Sequence, residues 1–320
     1  MRPKLSENTL FVFSDPGGAK PCLSLIEIDT LSNANVISDR HYSFYENFTS
    51  SVNVLAEGFD EYIEEIHPDM IFTGTSYTSD IEQRFIQIAR DNGILCYSFV
   101  DHWTNVSKRF RTIEGEMILP DAIWVIDENA KQIAINEGID EGKIIISGNP
   151  YHQWLRMWKP KLSKYEFLSK LGIDPTVSRS ILYAPDPLSN VNGKDRYGFD
   201  EYSALEEFIN VFNKFNDLLD DHYILIKAHP NQQLEKLGRI VAKESKVIIL
   251  PQDIDEKEAM VASEFVIGHF SSILIEAELL GVKVFRYLPE STGEDPLKSL
   301  NVGEIVNTKS LGASMINSLK

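Results

Sequence analysis

The sequence has few cysteines and no long apolar run. Its 320 residues include only Cys22 and Cys96, and the apolar neighbours of each favour buried free thiols over a disulfide. No stretch approaches the ~20 apolar residues that a membrane-spanning helix needs. The first ten residues, MRPKLSENTL, lack the apolar segment of a signal peptide. We therefore expect a soluble, cytoplasmic protein.

Basic residues and cofactor motifs are also scarce. The chain has 31 Lys and Arg against 48 Asp and Glu, a net charge of −17, so its surface should repel a nucleic-acid backbone. There is no GxGxxG fingerprint, no Walker A loop and no HExxH. The triplet Asp253-Ile254-Asp255 matches a metal-binding DxD pattern, but we expect it to cap the helix that follows. We predict neither a metal nor a cofactor.

Apolar residues make up 43% of the chain, and the length suggests two domains. Short apolar runs alternate with helical patterns, which predicts parallel sheets covered on both faces. The predicted strands are 9–13, 70–73, 94–99, 123–126, 144–147, 180–184, 223–228, 247–250, 265–267 and 282–286. The predicted helices are 79–93, with a Ser79/Glu82 capping box, 202–220, 255–262 and 272–280.

The fold class that follows is α/β, with two facing, doubly wound, Rossmann-like domains and a cleft between them. Residues 1–155 form the first domain and residues 165–300 the second, and segment 301–320 could pack back on the first. The junction, 151–170, has five Lys and Arg against one acid, and two tryptophans. In such sheets, ligands bind at the carboxyl ends of the strands.

The strongest local motif is IKAHPNQ, 226–232. An apolar strand leads to Lys227, His229 and Pro230, and proline favours the first turn of a helix. Free N–H groups at a helix N-terminus and an imidazole beside them can together bind an anion. The alternative is a histidine that only caps its helix.

A second motif is IGHFSSILIEAELLG, 267–281. Ser271 and Ser272 open a helix after a strand, where hydroxyl and N–H groups can bind phosphate oxygens. Glu276, about one turn later, can accept both hydroxyls of a ribose. The alternative is an ordinary serine cap, with Glu276 on a solvated face.

Two further stretches offer acid–base groups. In FSDPGGAK, Asp15 follows a strand and precedes Gly17 and Gly18, which suggests a tight turn or a close approach. In SFVDHWTNVSKRF, Asp101 and His102 could tune each other's pKa for general base work, although neighbours on extended backbone point in opposite directions. Each stretch could equally be a structural turn.

These stretches resemble a known superfamily. PDAIWVIDENAKQIAINEGIDEGKIIISGNP, 120–150, is similar to the end of the first domain in GT-B glycosyltransferases and nucleotide-sugar 2-epimerases, and IKAHPNQ and GHFSSILIEAELLGVKVF are similar to their nucleotide-binding half. The resemblance implies a GT-B fold and a nucleotide-sugar ligand. It implies that His229, Ser271 and Ser272 hold the donor phosphate, Glu276 holds the ribose, and the segment around Pro185 borders the base.

The leading hypothesis is an inverting, metal-independent glycosyltransferase that builds a polysaccharide or glycoconjugate. The HP and SS pairs are also similar to bacterial sialyltransferases and Kdo transferases, which favours a CMP-linked acidic sugar, with a UDP-linked sugar next. The paired-acid–Gly motif of those enzymes has no clean copy here. Gly17 and Gly18 would let their loop approach the donor sugar or acceptor, with Asp15 as first choice for the base and Asp101 as second.

Two alternatives stay open. One is a hydrolysing nucleotide-sugar 2-epimerase: Asp101 falls where the epimerases have a catalytic glutamate, but Thr75 stands in the loop where they have an acid. The other is a non-catalytic nucleotide-sugar-binding protein. The basic, tryptophan-containing stretch 154–164 could also make a weak contact with the inner face of a membrane, beside a lipid-linked acceptor, or act only as a hinge.

Overall fold

The computed structural model describes residues 2–55, 57–112, 115–229, 231–289 and 295–319. The chain divides into two compact units, Met1–Met157 and Trp158–Lys320. The division falls inside the basic stretch 151–170.

The first unit is built on a parallel seven-stranded sheet with the strand order β3-β2-β1-β4-β5-β6-β7. Its strands are β1 (Thr9–Phe13), β2 (Asn35–Ser38), β3 (Asn53–Val54), β4 (Met70–Thr73), β5 (Leu95–Val100), β6 (Ala122–Val125) and β7 (Ile144–Ile146). Its α-helices in the described residues are α1 (Pro16–Asp29), α2 (Phe59–Ile66), α3 (Ile81–Asn92), α4 (Glu128–Asn136) and α5 (Pro150–Met157).

The second unit has a parallel six-stranded sheet with the order β10-β9-β8-β11-β12-β13. Its strands are β8 (Arg179–Ala184), β9 (His222–Ile226), β10 (Val247–Ile249), β11 (Phe265–Gly268), β12 (Lys283–Tyr287) and β13 (Glu304–Val306). Its α-helices in the described residues are α6 (Lys164–Lys170), α7 (Gly193–Tyr197), α8 (Glu201–Lys214), α9 (Asn216–Leu219), α10 (Leu234–Val241), α11 (Glu256–Ala262), α12 (Ser272–Leu279) and α13 (Leu311–Ser318).

The central strands are apolar because both faces of each sheet are covered. Every residue of β1, β4 and β6 is buried. Buried strands in a parallel sheet read as continuous apolar runs, and this is why their positions could be predicted. The core of the first unit joins Leu10 and Val12 of β1 to Phe85 of α3.

Helix α1 begins where the sequence suggested a turn. Pro16 occupies the first turn, where its missing N–H costs nothing, and Asp15 is the extended N-cap residue. Helix α3 begins at Ile81 and ends at Asn92, and Gly93 caps it in the left-handed conformation. The predicted Ser79/Glu82 capping box is wrong, because Asp80 is the N-cap residue and the Glu82 carboxylate accepts a hydrogen bond from the Ser14 N–H.

The C-terminal segment packs within the second unit, which differs from the expectation for 301–320. Leu311 and Met315 of α13 are buried in the same core as Phe208 and Phe212 of α8. Burial of this apolar helix face within its own unit accounts for the difference.

Of the two tryptophans in stretch 154–164, Trp154 is buried and Trp158 is half-buried. Trp154 is 5% exposed, its ring centre lies 4.7 Å from that of Phe48, and its Nε1–H donates to Glu27. Lys257 lies over the Trp158 ring, 5.7 Å from its centre. No helix in the described part of the chain is long and apolar enough to cross a bilayer.

Candidate functional site

Each sheet has one point where the strand order reverses. In the first sheet the chain runs from β1 out to β2 and β3 and then crosses to β4, on the other side of β1. In the second sheet it runs from β8 to β9 and β10 and then crosses to β11. Ligands of doubly wound sheets bind at the carboxyl ends of the strands beside such a point. The predicted site residues lie in the loops after β1, β5, β8, β9 and β11, or in helices α1 and α12, which follow β1 and β11.

In the first unit, Gly17 and Gly18 do make close approaches, and their neighbours belong to the same unit. A β-carbon added at Gly18 would lie 2.9 Å from the Gly74 Cα, so two backbones meet here. A β-carbon at Gly17 would lie 2.0 Å from Oδ2 of Asp101. The PGG sequence therefore lets the start of α1 pack against the loops after β4 and β5.

Asp15, the first choice for the base, is saturated with hydrogen bonds. Its Oδ1 accepts from Arg40 Nη1 at 3.0 Å and Thr78 Oγ1 at 2.9 Å. Its Oδ2 accepts from Ser76 Oγ at 2.7 Å and the Tyr77 N–H at 3.3 Å. Two acceptor positions on each oxygen are thus occupied. Asp15 holds the loop after β4 in place, and this geometry does not favour it as a base.

Asp101 is held by a buried arginine. Arg109 Nη1 donates to Asp101 Oδ1 at 2.9 Å and to Thr75 Oγ1 at 3.0 Å. Arg109 is 7% exposed, while the Asp101 side chain keeps 23% of its surface accessible. The Asp15 side chain keeps 26% of its surface accessible, so exposure does not separate the two carboxylates. Their hydrogen bonds do, because Asp15 accepts from four donors and Asp101 from Arg109.

Asp101 and His102 use different partners. The Nδ1 of His102 lies 3.0 Å from Thr104 Oγ1 and 3.2 Å from the Thr104 N, whereas Asp101 pairs with Arg109. Burial lowers the pKa of His102, with Asp101 opposing and Arg109 adding to the shift. The structure does not assemble the pair expected for shared base work.

Glu82 is a buried carboxyl group beside the end of β1, and sequence patterns did not indicate a functional role for it. Glu82 is 3% exposed, and the Ser14 N–H donates to its Oε1 at 2.9 Å. Burial raises the pKa of Glu82 to about 8, and the negative charges of Asp15 and Asp39 add to the rise. The N–H bonds from Ser14 and Glu82 itself oppose it.

In the second unit, Asp186 lies at the point where the strand order reverses. It follows β8 and is 9% exposed, and its Oδ2 accepts from the Phe270 N–H at 2.9 Å. Burial raises its pKa, while the charges of His269 and His229 and the N–H groups of Phe270 and His269 oppose the rise. Asp186 thus links the loop after β8 to the residues that precede α12.

His229 is exposed and lies several residues before α10, so it does not cap that helix. Its Nδ1 accepts from the Asn231 N–H at 3.1 Å. An acceptor at Nδ1 means that the neutral ring carries its proton on Nε2, which makes Nε2–H a donor. Pro230 lies outside the described residues.

The ammonium group of Lys227 is held by backbone carbonyls. Its Nζ donates to the carbonyls of Pro251, Gln252 and Ile254 at 3.3, 2.9 and 2.7 Å. An ammonium group has three hydrogens, so all are accounted for. These bonds hold segment 251–254, and they do not support the predicted contact of Lys227 with a phosphate.

The serine motif forms a helix start. Ser271 is the N-cap residue of α12, with its hydroxyl 3.5 Å from the Ile273 N, and Ser272 is exposed at the first position. Glu276 is 5% exposed, so it is not on a solvated face. Pro185 is buried directly after β8. Asp255 caps α11, as expected, by accepting from the Lys257 N–H at 3.0 Å.

Arg109 and His269 were given no role from the sequence, and Asp186 was included only in the segment expected to border the base. His269 is fully buried, its Nδ1 donates to the Tyr287 carbonyl at 2.6 Å and its Nε2 faces the Tyr183 hydroxyl at 3.3 Å. Its position directly after a buried strand was a usable signal. In the described residues, no group of three His, Cys, Asp or Glu could hold a metal ion.

Comparison with known proteins identifies structural relatives only. No known family matches the chain, and no curated protein matches it by sequence. UDP-GlcNAc 2-epimerase from Methanocaldococcus jannaschii matches with a TM-score of 0.66 and 14% identity, over 97% of this chain and 91% of that chain. UDP-GlcNAc 2-epimerase from Neisseria meningitidis, bound to UDP-GlcNAc, matches with a TM-score of 0.63 and 14% identity, over 96% of this chain and 90% of that chain. Anabaena HepE, in complex with UDP-glucose, matches with a TM-score of 0.61 and 14% identity, over 97% of this chain and 89% of that chain.

Similarity at 14% identity shows the fold. UDP-GlcNAc 2-epimerases share the GT-B fold with glycosyltransferases. The predicted fold class, two Rossmann-like α/β domains of the GT-B type, is confirmed.

Proposed function

We propose that this chain is an enzyme that acts on a UDP-linked sugar. The observation that carries the proposal is the grouping around Asp186, where the His229 loop and the start of α12 meet the end of β8. The similarity to proteins crystallised with UDP-sugars supports UDP over the CMP carrier that the HP and SS pairs favoured.

The nucleotide would bind to the second unit. The His229 Nε2–H and the Ser272 hydroxyl are donors suited to diphosphate oxygens, and the positive end of the α12 dipole attracts the same charge. Glu276 would accept hydrogen bonds from the ribose. Lys227 takes no part, because its hydrogens are committed to backbone carbonyls.

The reaction that we favour is hydrolytic 2-epimerisation. Asp101 would remove the proton from C2 of the sugar as the nucleoside diphosphate leaves C1. Water then adds at C1, and a proton returns to the opposite face of C2. One UDP-sugar and one water thus give UDP and the free 2-epimer. The full-length similarity to UDP-GlcNAc 2-epimerases supports this choice.

Glycosyl transfer is the second candidate, and Thr75 favours it. Thr75 is 2% exposed and hydrogen-bonded to Arg109 and to the Phe99 carbonyl, so no carboxylate stands at this position. Transfer needs one base to deprotonate an acceptor hydroxyl, and Asp101 alone could serve. The acceptor would be a polysaccharide, a glycoconjugate or a lipid-linked glycan.

The test is incubation with UDP-, GDP-, dTDP-, CDP- and CMP-linked sugars in D₂O. Epimerisation releases UDP and leaves deuterium at C2, because the proton taken from carbon exchanges with solvent. Release of UDP without deuterium supports transfer or simple hydrolysis instead. A thermal shift without any turnover would overturn the enzymatic proposal in favour of a binding protein.

His229→Ala tests the nucleotide contact. A hydrogen bond to a charged phosphate is worth roughly 1.5–3 kcal/mol, so UDP affinity should fall about tenfold to a hundredfold. His229→Gln keeps an N–H donor and should recover part of the loss. Unchanged UDP affinity in a folded His229→Ala protein, measured by calorimetry, would remove His229 from the site.

A further inference from the structure

The position of Asp101 depends on Arg109, a residue to which no role was assigned from the sequence. The guanidinium of Arg109 is buried and bonds to both Asp101 and Thr75 through Nη1. Its central carbon lies 4.4 Å from the centre of the Tyr77 ring, a cation–π distance. A buried charge needs such partners, so the geometry of the pair is constrained on several sides.

Gly17 supplies the second constraint. The residue lies in the first turn of α1 and does not have a positive φ, so backbone conformation does not demand glycine here. Glycine is required here by lack of space, because a β-carbon at residue 17 would lie 2.0 Å from Asp101 Oδ2 and 2.9 Å from Asp101 Cγ. The carboxylate therefore occupies the volume that a side chain at residue 17 would fill.

We propose that Arg109 and Gly17 are positioning residues for Asp101. Arg109 fixes Oδ1, and the missing side chain at Gly17 gives Oδ2 its place, so Oδ2 is the oxygen that takes the proton. The proposal rests on the function proposed for Asp101. It goes beyond it by stating what sets the orientation of the base.

Gly17→Ala is the sharpest variant. The new methyl group meets the end of a side chain that can rotate, so it should displace the carboxylate while the fold survives. A misplacement of about 1 Å can cost up to about a hundredfold in rate. We expect kcat to fall at least tenfold, with the KM for the UDP-sugar and the melting temperature little changed. In an Asp101→Asn background, Gly17→Ala should add no further loss.

Arg109 is tested by rescue. Arg109→Ala should lower kcat at least tenfold, and millimolar guanidinium ion should restore part of it by entering the vacated volume. Arg109→Lys keeps the charge and should retain more activity than alanine. The matched control is Arg111→Ala, an exposed arginine two residues away that should keep the wild-type kcat.

The proposal would be overturned if folded Gly17→Ala protein kept the wild-type kcat. It would also be overturned if Gly17→Ala lowered kcat as much in the Asp101→Asn background as in the wild type. If the wild type turns over no nucleotide sugar, the proposed function fails, and the positioning contact is still measurable by unfolding. Arg109→Ala, Asp101→Ala and the double variant should then show non-additive losses of stability. Strictly additive losses would refute the contact itself.

Discussion

Replacing Glu82 by glutamine should flatten the dependence of stability on pH. Glu82 is buried beneath the end of β1, and its oxygen accepts the Ser14 N–H. Burial raises its pKa from 4.5 in the unfolded chain to about 8 in the folded one. Glutamine keeps an oxygen acceptor for Ser14 and cannot titrate.

The sign follows from proton binding in the two states. Below pH 4.5 both states carry the proton, so Glu82 imposes no penalty. Between pH 4.5 and about 8 the unfolded chain releases the proton while the folded chain retains it, so the stability of the wild type falls as pH rises. At about 1.4 kcal/mol per pKa unit, the whole window is worth on the order of 5 kcal/mol of unfolding free energy.

The assay is guanidinium chloride unfolding of wild type and Glu82→Gln at pH 5, 6, 7 and 8. Subtracting the variant from the wild type cancels the other titrating groups, and the difference should fall steadily with pH. Glu64→Gln makes the same chemical change at an exposed side chain of α2 and serves as the control. A difference that stays constant or rises with pH would refute the reasoning.

Two further predictions concern residues whose expected roles changed. Lys227→Met should destabilise the second unit by on the order of 2 kcal/mol, since three hydrogen bonds are lost, one of them part-buried, and should leave UDP affinity within about twofold; a tenfold loss of affinity by calorimetry would return Lys227 to the phosphate site. Asp15→Asn should lower the melting temperature by weakening the contacts to Arg40 and Thr78 while keeping most of kcat; loss of turnover in a stable protein would reinstate Asp15 as the base.

Most strands could be predicted because a strand buried on both faces is a continuous apolar run. The predicted strand 9–13 agrees with β1, and 180–184 lies within one residue of β8. The short strands β2, β3 and β13 carry no comparable signal. Helix α1 was missed because Pro16, Gly17 and Gly18 look like a turn, although proline suits a first helical turn.

The candidate site could be predicted only as far as its loops. The polar residues that follow the buried strands do lie at the carboxyl ends of the sheets, where such folds bind ligands. The choice between Asp15 and Asp101 depended on partners from distant segments. Ser76 and Thr78 donate to the two oxygens of Asp15, whereas Arg109 donates to Oδ1 of Asp101. Sequence spacing does not reveal such contacts, because they arise only when separate loops meet.

The most direct test of the central claim is incubation of wild type and Asp101→Asn with UDP-GlcNAc in D₂O, followed by NMR and nucleotide chromatography. We predict that the wild type releases UDP together with a 2-epimeric sugar carrying deuterium at C2, and that Asp101→Asn still binds UDP but forms both products much more slowly. Wild-type protein that is folded and binds UDP, yet releases no UDP and incorporates no deuterium, would contradict the claim.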